Sequence, residues 1–225
     1  MRVSPVGQYG RQLTRLGMIN CYLVREDDGF TLIDTNLKGS EENVLKAAGS
    51  VMIRRILLTH PHVDHVGSVD ALMAQVPGLE LLSSERSIPM LQMPPDLSLR
   101  PGEGGPLRGS TPGIRSQVTQ TVAEGDHVGS LRVIDTPGHM HGHQAFLDER
   151  DGTLYAGDEF GSLRQLTITG FTPWWFPLKA FSNREQARQT AVKLQACAIR
   201  RVACGHGQVL EGERGLLQGA IDRAQ

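Results

Sequence analysis

Residues 59–65 read Thr-His-Pro-His-Val-Asp-His, so three histidines and one aspartate fall within six positions. The segment comes directly after an apolar run at residues 53–58, which is typical of a buried strand, and before a helical pattern that begins near Val66. Imidazole nitrogens and carboxylate oxygens are the ligands that suit zinc and similar divalent ions. Solvated loop residues are the alternative interpretation, but so dense a group of ligand side chains at a strand end favours a metal site.

The spacing within this stretch favours two metal ions over one. In an extended segment alternate residues point to the same side, so His60 and His62 can reach one metal together. Asp64 and His65 follow the turn of the chain and can reach a neighbouring metal. One tetrahedral ion cannot easily take all four side chains from so short a segment, whereas two ions can.

Three further candidate ligands each follow a predicted strand, and each has a glycine beside it. His139 ends the turn Thr-Pro-Gly-His, Asp158 follows Gly157, and His206 stands between two glycines. Glycine allows the backbone to turn sharply and to approach a metal closely. Each residue alone is more typical of a structural turn, but together with residues 59–65 the three loops predict one metal site at the edge of a sandwich.

Hydrophobic patterns elsewhere predict short strands that alternate with helices. Asp27-Asp28-Gly29 predicts an antiparallel hairpin turn, and Ser182 with Glu185 predicts a capping box at the start of a helix. The predicted strands cover residues 19–24, 30–34, 53–58, 79–82, 131–134, 144–147, 153–156 and 201–203, and the predicted helices cover residues 41–48, about 66–76, the segment after Ser182 and the end of the chain.

Prolines and glycines crowd residues 94–113, which predicts a long loop within a single domain of residues 1–225. Loops of this length inside compact domains are often functional. A lid over the site and a mobile surface insertion are both open interpretations.

Composition and charge exclude several classes of function. The formal net charge of -1 provides no electrostatic field for nucleic acid or an anionic membrane, so we expect a small-molecule substrate and neither of those partners. No apolar leader or span is evident, and Cys21, Cys197 and Cys204 form no CxxC pair. A cytoplasmic protein without disulfides is therefore expected. A homodimer is compatible with the sequence.

The chain resembles the metallo-β-lactamase fold superfamily, in the branch that carries seven metal ligands and includes glyoxalase II and lactonases. The matching motifs are Leu-Ile-Asp-Thr at 32–35, the run at 59–65, Thr-Pro-Gly-His at 136–139, Gly-Asp at 157–158 and Gly-His-Gly at 205–207, in the family's order. The resemblance implies an α/β fold, a four-layer αββα sandwich in which two mixed sheets pack face to face with helices outside.

The resemblance also implies two divalent metal ions, with zinc expected and manganese or iron as alternatives. Asp34 would brace the ligand loop by hydrogen bonds, and His143 would support the site in the same way. Met140 and His141 depart from the small and proline residues usual in that loop. The resemblance assigns His60, His62 and His139 to the first metal, Asp64, His65 and His206 to the second, and Asp158 to a bridging position.

The expected reaction is hydrolysis of an ester, thioester or lactone by a hydroxide that bridges the two metals. Asp64 and Asp158 are the expected catalytic carboxylates, since Asp158 would hold both metals and Asp64 could carry a proton to the leaving group. An aromatic cluster after Asp158 predicts an apolar substrate wall, with a core or dimer contact as the alternative. Its members are Phe171, Trp174, Trp175 and Phe176.

Features of individual subfamilies narrow the range of expected activities. Glyoxalase II-like enzymes add a helical domain, whereas this sequence ends 19 residues after His206 (225 minus 206). Acyl-homoserine lactonases place a tyrosine three residues after the bridging aspartate, where this chain has Gly161. Two other classes stay open, namely a mononuclear iron sulfur dioxygenase and a non-catalytic metal-binding protein. Metal content would separate the dioxygenase, and a lack of turnover would identify the binding protein.

Overall fold

The structure is a computed structural model that describes residues 1–172, 180–212 and 215–224. Within these ranges, no helix is long and apolar enough to cross a membrane. The strands are β1 Arg2–Val6, β2 Gly10–Arg15, β3 Ile19–Glu26, β4 Gly29–Ile33, β5 Ile53–Leu57, β6 Glu80–Ser83, β7 Gln120–Thr121, β8 His127–Val128, β9 Leu131–Asp135, β10 Gln144–Asp148, β11 Thr153–Ser162, β12 Thr167–Ile168, β13 Arg201–Gly207 and β14 Leu210–Glu211. The α-helices are α1 Glu41–Ala48, α2 Val63–Val66, α3 Val69–Gln75, α4 Ile88–Leu91, α5 Arg184–Leu194 and α6 Gly215–Asp222.

The strands form one mixed sheet whose main path has the order β7-β6-β5-β4-β3-β13-β11-β10-β9-β8. Strands β1, β2, β12 and β14 pair beside this path. In its first half, β3 and β4 pair antiparallel, as the predicted hairpin requires, and β4, β5 and β6 pair parallel. In its second half, β9, β10 and β11 pair antiparallel, and β11 pairs parallel with β13. The halves meet where Ile19 of β3 pairs with His206 of β13.

Consecutive side chains of a strand pack into different apolar clusters, because they point to opposite faces of the sheet. Leu32 packs into an outer cluster with α1, α2 and α3, whereas Ile33 packs into an inner cluster. Leu154 likewise packs with α5 and α6, whereas Tyr155 joins the inner cluster. The inner cluster thus lies between the two halves of the sheet. The predicted αββα sandwich is confirmed, with its two sheets joined at β3 and β13.

Tertiary contacts change the bounds of one predicted helix. The helix expected at about 66–76 begins earlier and is divided into α2 and α3. Gly67 lies between them, where a β-carbon would come within 2.4 Å of the backbone nitrogen of Lys38. Ser68 donates its backbone N–H to the hydroxyl of Thr35, outside the helix. The close approach of the neighbouring loop therefore interrupts the helix.

The cap of α5 also differs from the prediction. Asn183, not Ser182, is the N-cap residue, and its side chain accepts a hydrogen bond from the backbone N–H of Gln186. The backbone N–H of Ser182 is directed instead to the carbonyls of Gly138 and His139. The start of this helix is therefore tied to one of the candidate ligands.

Candidate metal centre

All seven predicted ligands gather at one edge of the sandwich. His60 and His62 follow β5, Asp64 and His65 lie within α2, and His139 follows β9. Asp158 lies within β11 and His206 within β13, so the prediction that these two residues come after their strands is wrong. The parallel register of β11 on β13 shifts on either side of Gly157, and the strands continue through these shifts past Asp158 and His206. Donor atoms within 4.8 Å of one another define a first group of His60, His62, His139 and Asp158 and a second group of Asp64, His65 and His206.

In the first group three ring nitrogens converge. The Nδ1 atom of His62 lies 2.9 Å from Nε2 of His60 and 3.1 Å from Nε2 of His139. The Oδ2 atom of Asp158 lies 3.6 Å from Nε2 of His139. Bond lengths of about 2.0–2.1 Å in a tetrahedral zinc site separate neighbouring ligand atoms by about 3.3 Å. The spacing of these atoms therefore suits a single divalent ion.

The outer hydrogen bonds of the first group decide which ring nitrogens are free. His62 Nε2 lies 2.7 Å from the carbonyl oxygen of Arg108, which can only accept, so Nε2 carries the proton. Thr59 donates its hydroxyl to Asp34, so it accepts from Nδ1 of His60 at 2.9 Å. Lone pairs on His60 Nε2 and His62 Nδ1 therefore face each other. These lone pairs repel each other in the absence of a cation, and a cation bound between them would be coordinated by both.

The second group is joined to the first by Asp158. Its Oδ1 lies 3.4 Å from Nε2 of His65, and its Oδ2 lies 3.2 Å from Nε2 of His206. Asp64 Oδ2 is 3.2 Å from the same nitrogen of His206. Among the described residues, Nε2 of His65 and both ring nitrogens of His206 have no hydrogen-bond partner. Buried polar atoms are normally paired, so these donors fit a metal ligand set.

Asp34 accepts three hydrogen bonds behind the second group. The backbone N–H and the hydroxyl of Thr59 each lie 2.8 Å from its carboxylate, and Nδ1 of His65 lies 2.7 Å away. The carboxylate can only accept, so Nδ1 of His65 carries the proton and Nε2 is free for a metal. Asp34 adopts a φ of 57°, which turns its side chain from the end of β4 towards residues 59–65.

His143 uses both ring nitrogens within the protein. Its Nε2 accepts from the backbone N–H of Asp158 at 3.0 Å, and its Nδ1 lies 2.7 Å from the hydroxyl of Thr136. Burial lowers the pKa of His143 to about 3, so the ring is neutral. Neither nitrogen is left for a metal, and the residue holds the backbone of Asp158 in place.

The two groups differ in charge in the metal-free protein. Burial lowers the pKa values of His60, His62 and His139, which keeps the three histidines of the first group neutral. Burial would also lower the pKa of His206, but the carboxylate of Asp158 outweighs it and raises the value to about 9. The pKa of His65 is raised well above its usual range in the same way.

This difference predicts that the second metal ion displaces protons and the first does not. Because their raised pKa values keep His65 and His206 protonated at neutral pH, each must lose one proton to bind metal. Affinity at the second group should fall by about tenfold per pH unit for each proton displaced as the pH drops below about 9. Calorimetric titration in buffers of different ionisation enthalpy measures the proton release. Equal release by both ions would contradict the assignment.

Glu159 is a buried residue that the sequence analysis missed. It is fully buried next to Asp158, and its two carboxylate oxygens have no hydrogen-bond partner among the described residues. Burial raises its pKa well above the usual range and so favours the neutral carboxyl group. The sequence could not predict that Glu159 is buried, because the burial of a single acidic residue in a strand depends on distant parts of the chain.

We expect Glu159→Gln to stabilise the protein more at pH 8 than at pH 4. The folded state keeps Glu159 protonated, so the stability it contributes is full below the unfolded pKa of about 4.3 and is lost as the pH rises above it. Glutamine has nearly the same shape and does not titrate. Thermal unfolding of both proteins at the two pH values measures the effect, and an equal shift at both would contradict it.

Of the predicted aromatic cluster the structure describes Phe171, which is not among the residues that line the cavity beside the metal centre. Phe171 packs against the outer cluster of α5 and α6, with the guanidinium of Arg184 5.5 Å from its ring centroid. Trp174, Trp175 and Phe176 lie outside the described residues. Among the described residues, those that line the cavity are His139, Asp158, Phe160, Gly161, Thr169, Thr172, Ala180 and His206.

The sequence profile of the metallo-beta-lactamase superfamily matches residues 14–206, which include all seven ligands. The chain belongs to this superfamily. Membership places it among largely hydrolytic proteins with a site for divalent metal ions, as the His and Asp cluster itself indicates.

Proteins similar to this chain match it over different shares of its length. The uncharacterized protein YobT of Bacillus subtilis (strain 168) is 39% identical over 213 residues, which cover 92% of this chain and 91% of YobT. A hydroxyacylglutathione hydrolase of Aeromonas hydrophila is 32% identical over 61% of this chain and 44% of its own length. An atrochrysone carboxyl ACP thioesterase of Aspergillus novofumigatus is 27% identical over 80% of this chain and 50% of its own length. The chain thus matches half or less of each of these two enzymes.

Solved structures share the fold. The crystal structure of TTHA1623 in a di-iron-bound form superimposes with a TM-score of 0.67 and 26% identity, over 91% of this chain and 94% of that protein. This neighbour supports divalent metal ions in the superfamily site of the present chain.

Proposed function

We propose that the protein is a dinuclear metal-dependent hydrolase that cleaves an ester, thioester or lactone of a small molecule. The observation that carries this proposal is the position of Asp158, whose carboxylate lies within 4.0 Å of ligand nitrogens from both groups. A carboxylate in that position can hold two ions at a fixed separation. A purely structural zinc site is instead usually closed and mononuclear.

The donor set suits zinc, and the di-iron-bound neighbour supports iron as an alternative, with manganese also compatible with these ligands. Bound at the two groups, the ions would supply Lewis acidity and lower the pKa of water into the neutral range. His60, His62 and His139 hold one position, Asp64, His65 and His206 hold the other, and Asp158 serves both.

The protein's own residues supply orientation and proton transfer. Asp34 and His143 keep His65 and Asp158 in place by the hydrogen bonds described above. The Asp64 side chain is 16% exposed, whereas that of Asp158 is 9% exposed. Asp64 can therefore exchange a proton with a leaving group. Burial would raise its pKa, but the charge of His65 and the hydrogen bond of His206 lower it to about 2. Asp64 is therefore a carboxylate in the metal-free protein.

The named relatives favour a thioester as the substrate. One is a hydroxyacylglutathione hydrolase and another is an ACP thioesterase. Phe160 and Gly161 line the cavity beside the metal centre, where the ring of Phe160 provides an apolar wall. Three free cysteines, of which Cys21 and Cys204 are buried, fit a location in the reducing cytoplasm.

The test combines metal content with turnover. The protein is purified without chelator, its metals are measured by elemental analysis, and it is assayed on a panel of thioesters, esters and lactones before and after chelation. Two ions per chain, with turnover that is lost on chelation and restored by metal, would support the proposal. One iron per chain would favour a sulfur dioxygenase. Two ions without turnover on any member of the panel would refute hydrolysis of this substrate class.

A further inference from the structure

The Pro/Gly-rich loop contacts the outer edge of His62 and the segment that holds His139, two ligands of the first group. Its residues 104–110, here termed the site strap, contact the segment that follows Ala180. A β-carbon at Gly105 would lie 1.9 Å from the carbonyl oxygen of Ser182, and Ser182 in turn donates its backbone N–H to His139. The guanidinium of Arg108 lies 5.8 Å from the ring centroid of Phe181. The strap is therefore anchored on the His139 side.

The other end of the strap lies on His62. The carbonyl oxygen of Arg108 is 2.7 Å from His62 Nε2, and the carbonyl oxygen of Ser110 accepts the backbone N–H of Val63 at 2.9 Å. Gly109 lies between these two contacts, against the edge of the imidazole ring. A β-carbon there would come within 2.3 Å of Nε2, 2.8 Å of Cε1 and 2.9 Å of Cδ2.

We propose that the site strap is a positioning element of the first metal group, in which the Arg108 carbonyl selects the tautomer of His62 and Gly109 sets the position of its ring. The inference deepens the proposed function, because it rests on the same metal site. The carbonyl keeps the proton on Nε2, which leaves the lone pair of Nδ1 for the metal. Residues 59–65 alone do not predict the tautomer of His62, since its hydrogen-bond partner is a backbone atom 46 residues away.

The ring of His62 has little freedom to move. The strap covers its Nε2 edge, and the facing nitrogens of His60 and His139 lie 2.9 and 3.1 Å from its Nδ1. A side chain at Gly109 must therefore displace either the strap, with loss of the hydrogen bond, or the ring, with loss of the shared metal position. Either displacement weakens binding at the first group and leaves the second group's ligands untouched.

Gly109→Ala tests the proposal, and Gly102→Ala is its matched control. Both glycines lie in the same loop and both have a positive φ, of 99° and 87°. Alanine at either position therefore carries similar backbone strain. A β-carbon at Gly102, however, would meet no heavy atom within 4 Å. The pair thus separates contact with His62 from the strain of the substitution itself.

The readout is metal affinity, measured by titrating zinc-loaded protein with a chromophoric chelator. We expect Gly109→Ala to bind one of its two ions about 10–100-fold more weakly, the usual effect of losing a partner of a ligand. Gly102→Ala should bind both ions as the wild-type protein does. Equal affinities in Gly109→Ala and the wild type would overturn the proposal, as would equal losses in the two variants.

Nitrogen-15 NMR of the metal-free wild-type protein gives an independent test if Gly109→Ala does not fold. We expect His62 to carry its proton on Nε2, in slow exchange with solvent, and to have an unprotonated Nδ1. The opposite tautomer would overturn the proposal. Neither readout depends on turnover, so a protein that binds two ions but hydrolyses nothing would refute the proposed function and leave the strap assignment standing.

Discussion

Asp158→Ala is expected to remove at least one of two metal ions per chain and to lower hydrolysis by about a thousandfold. Asp158 is the side chain that approaches ligand nitrogens of both groups, at 3.2 to 4.0 Å. Without it, His65 and His206 lose the carboxylate that contributes most to their raised pKa values. Each group also loses a carboxylate oxygen as a metal donor, and this loss should outweigh the lower cost of deprotonating His65 and His206. Elemental analysis and steady-state kinetics measure the two effects.

Asp27→Ala provides the control for this substitution. Asp27 is exposed in the turn between β3 and β4, at the opposite end of this hairpin from Asp34 and the metal centre. The Asp27→Ala variant should keep two metal ions per chain and full activity. If Asp158→Ala also retained two ions, the bridging position of this carboxylate, and with it the dinuclear mechanism, would be refuted.

Asp34→Ala should lower both stability and metal affinity, because Asp34 is buried and accepts hydrogen bonds from Thr59 and His65. Donors left unpaired in the interior cost about 1–3 kcal/mol each, so we expect a loss of about 3 kcal/mol in the free energy of unfolding. His65 also loses the group that keeps its proton on Nδ1. Affinity at the second group should fall by about 10–100-fold. Denaturant unfolding and chelator competition measure the two quantities.

Asp34→Asn separates the two effects. Its side-chain oxygen can still accept the backbone N–H of Thr59, so stability should be closer to that of the wild type. Its amide group, directed at His65, donates to Nδ1 and favours the tautomer with the proton on Nε2, where the metal should bind. We therefore expect affinity as weak as in Asp34→Ala. Wild-type affinity in Asp34→Asn would show that the tautomer of His65 does not limit binding.

The strands and the ligand types could be predicted because both depend on local pattern. Apolar runs such as residues 53–58 form strands wherever one face is buried, and β5 covers Ile53–Leu57. His60 and His62 stand two positions apart in an extended segment, so the spacing itself brings them to one side. The helices at residues 41–48 and at the end of the chain also follow from local pattern.

Element boundaries near the site could not be predicted, because they depend on partners that are distant in the sequence. β11 continues past Asp158, and β13 past His206, since the two strands pair with each other and β13 also meets β3. The helix after residues 59–65 is interrupted at Gly67 because the loop after Asp34 packs against it. Residue types in these segments do not report such contacts.

The sequence by itself determined the identity of the candidate ligands, which follows from residue type and short-range spacing. Its resemblance to the superfamily, carried by the same motifs, implied the layered fold. Only the tertiary structure decided how the ligands are held, with Asp158 between two groups and the Arg108 carbonyl on His62. It also decided the burial of Glu159, whose carboxylate has no hydrogen-bond partner in the part of the chain that the structure describes. These features join residues that lie far apart in the chain. Their geometry arises when the two halves of the sheet pack together, and no local pattern encodes it.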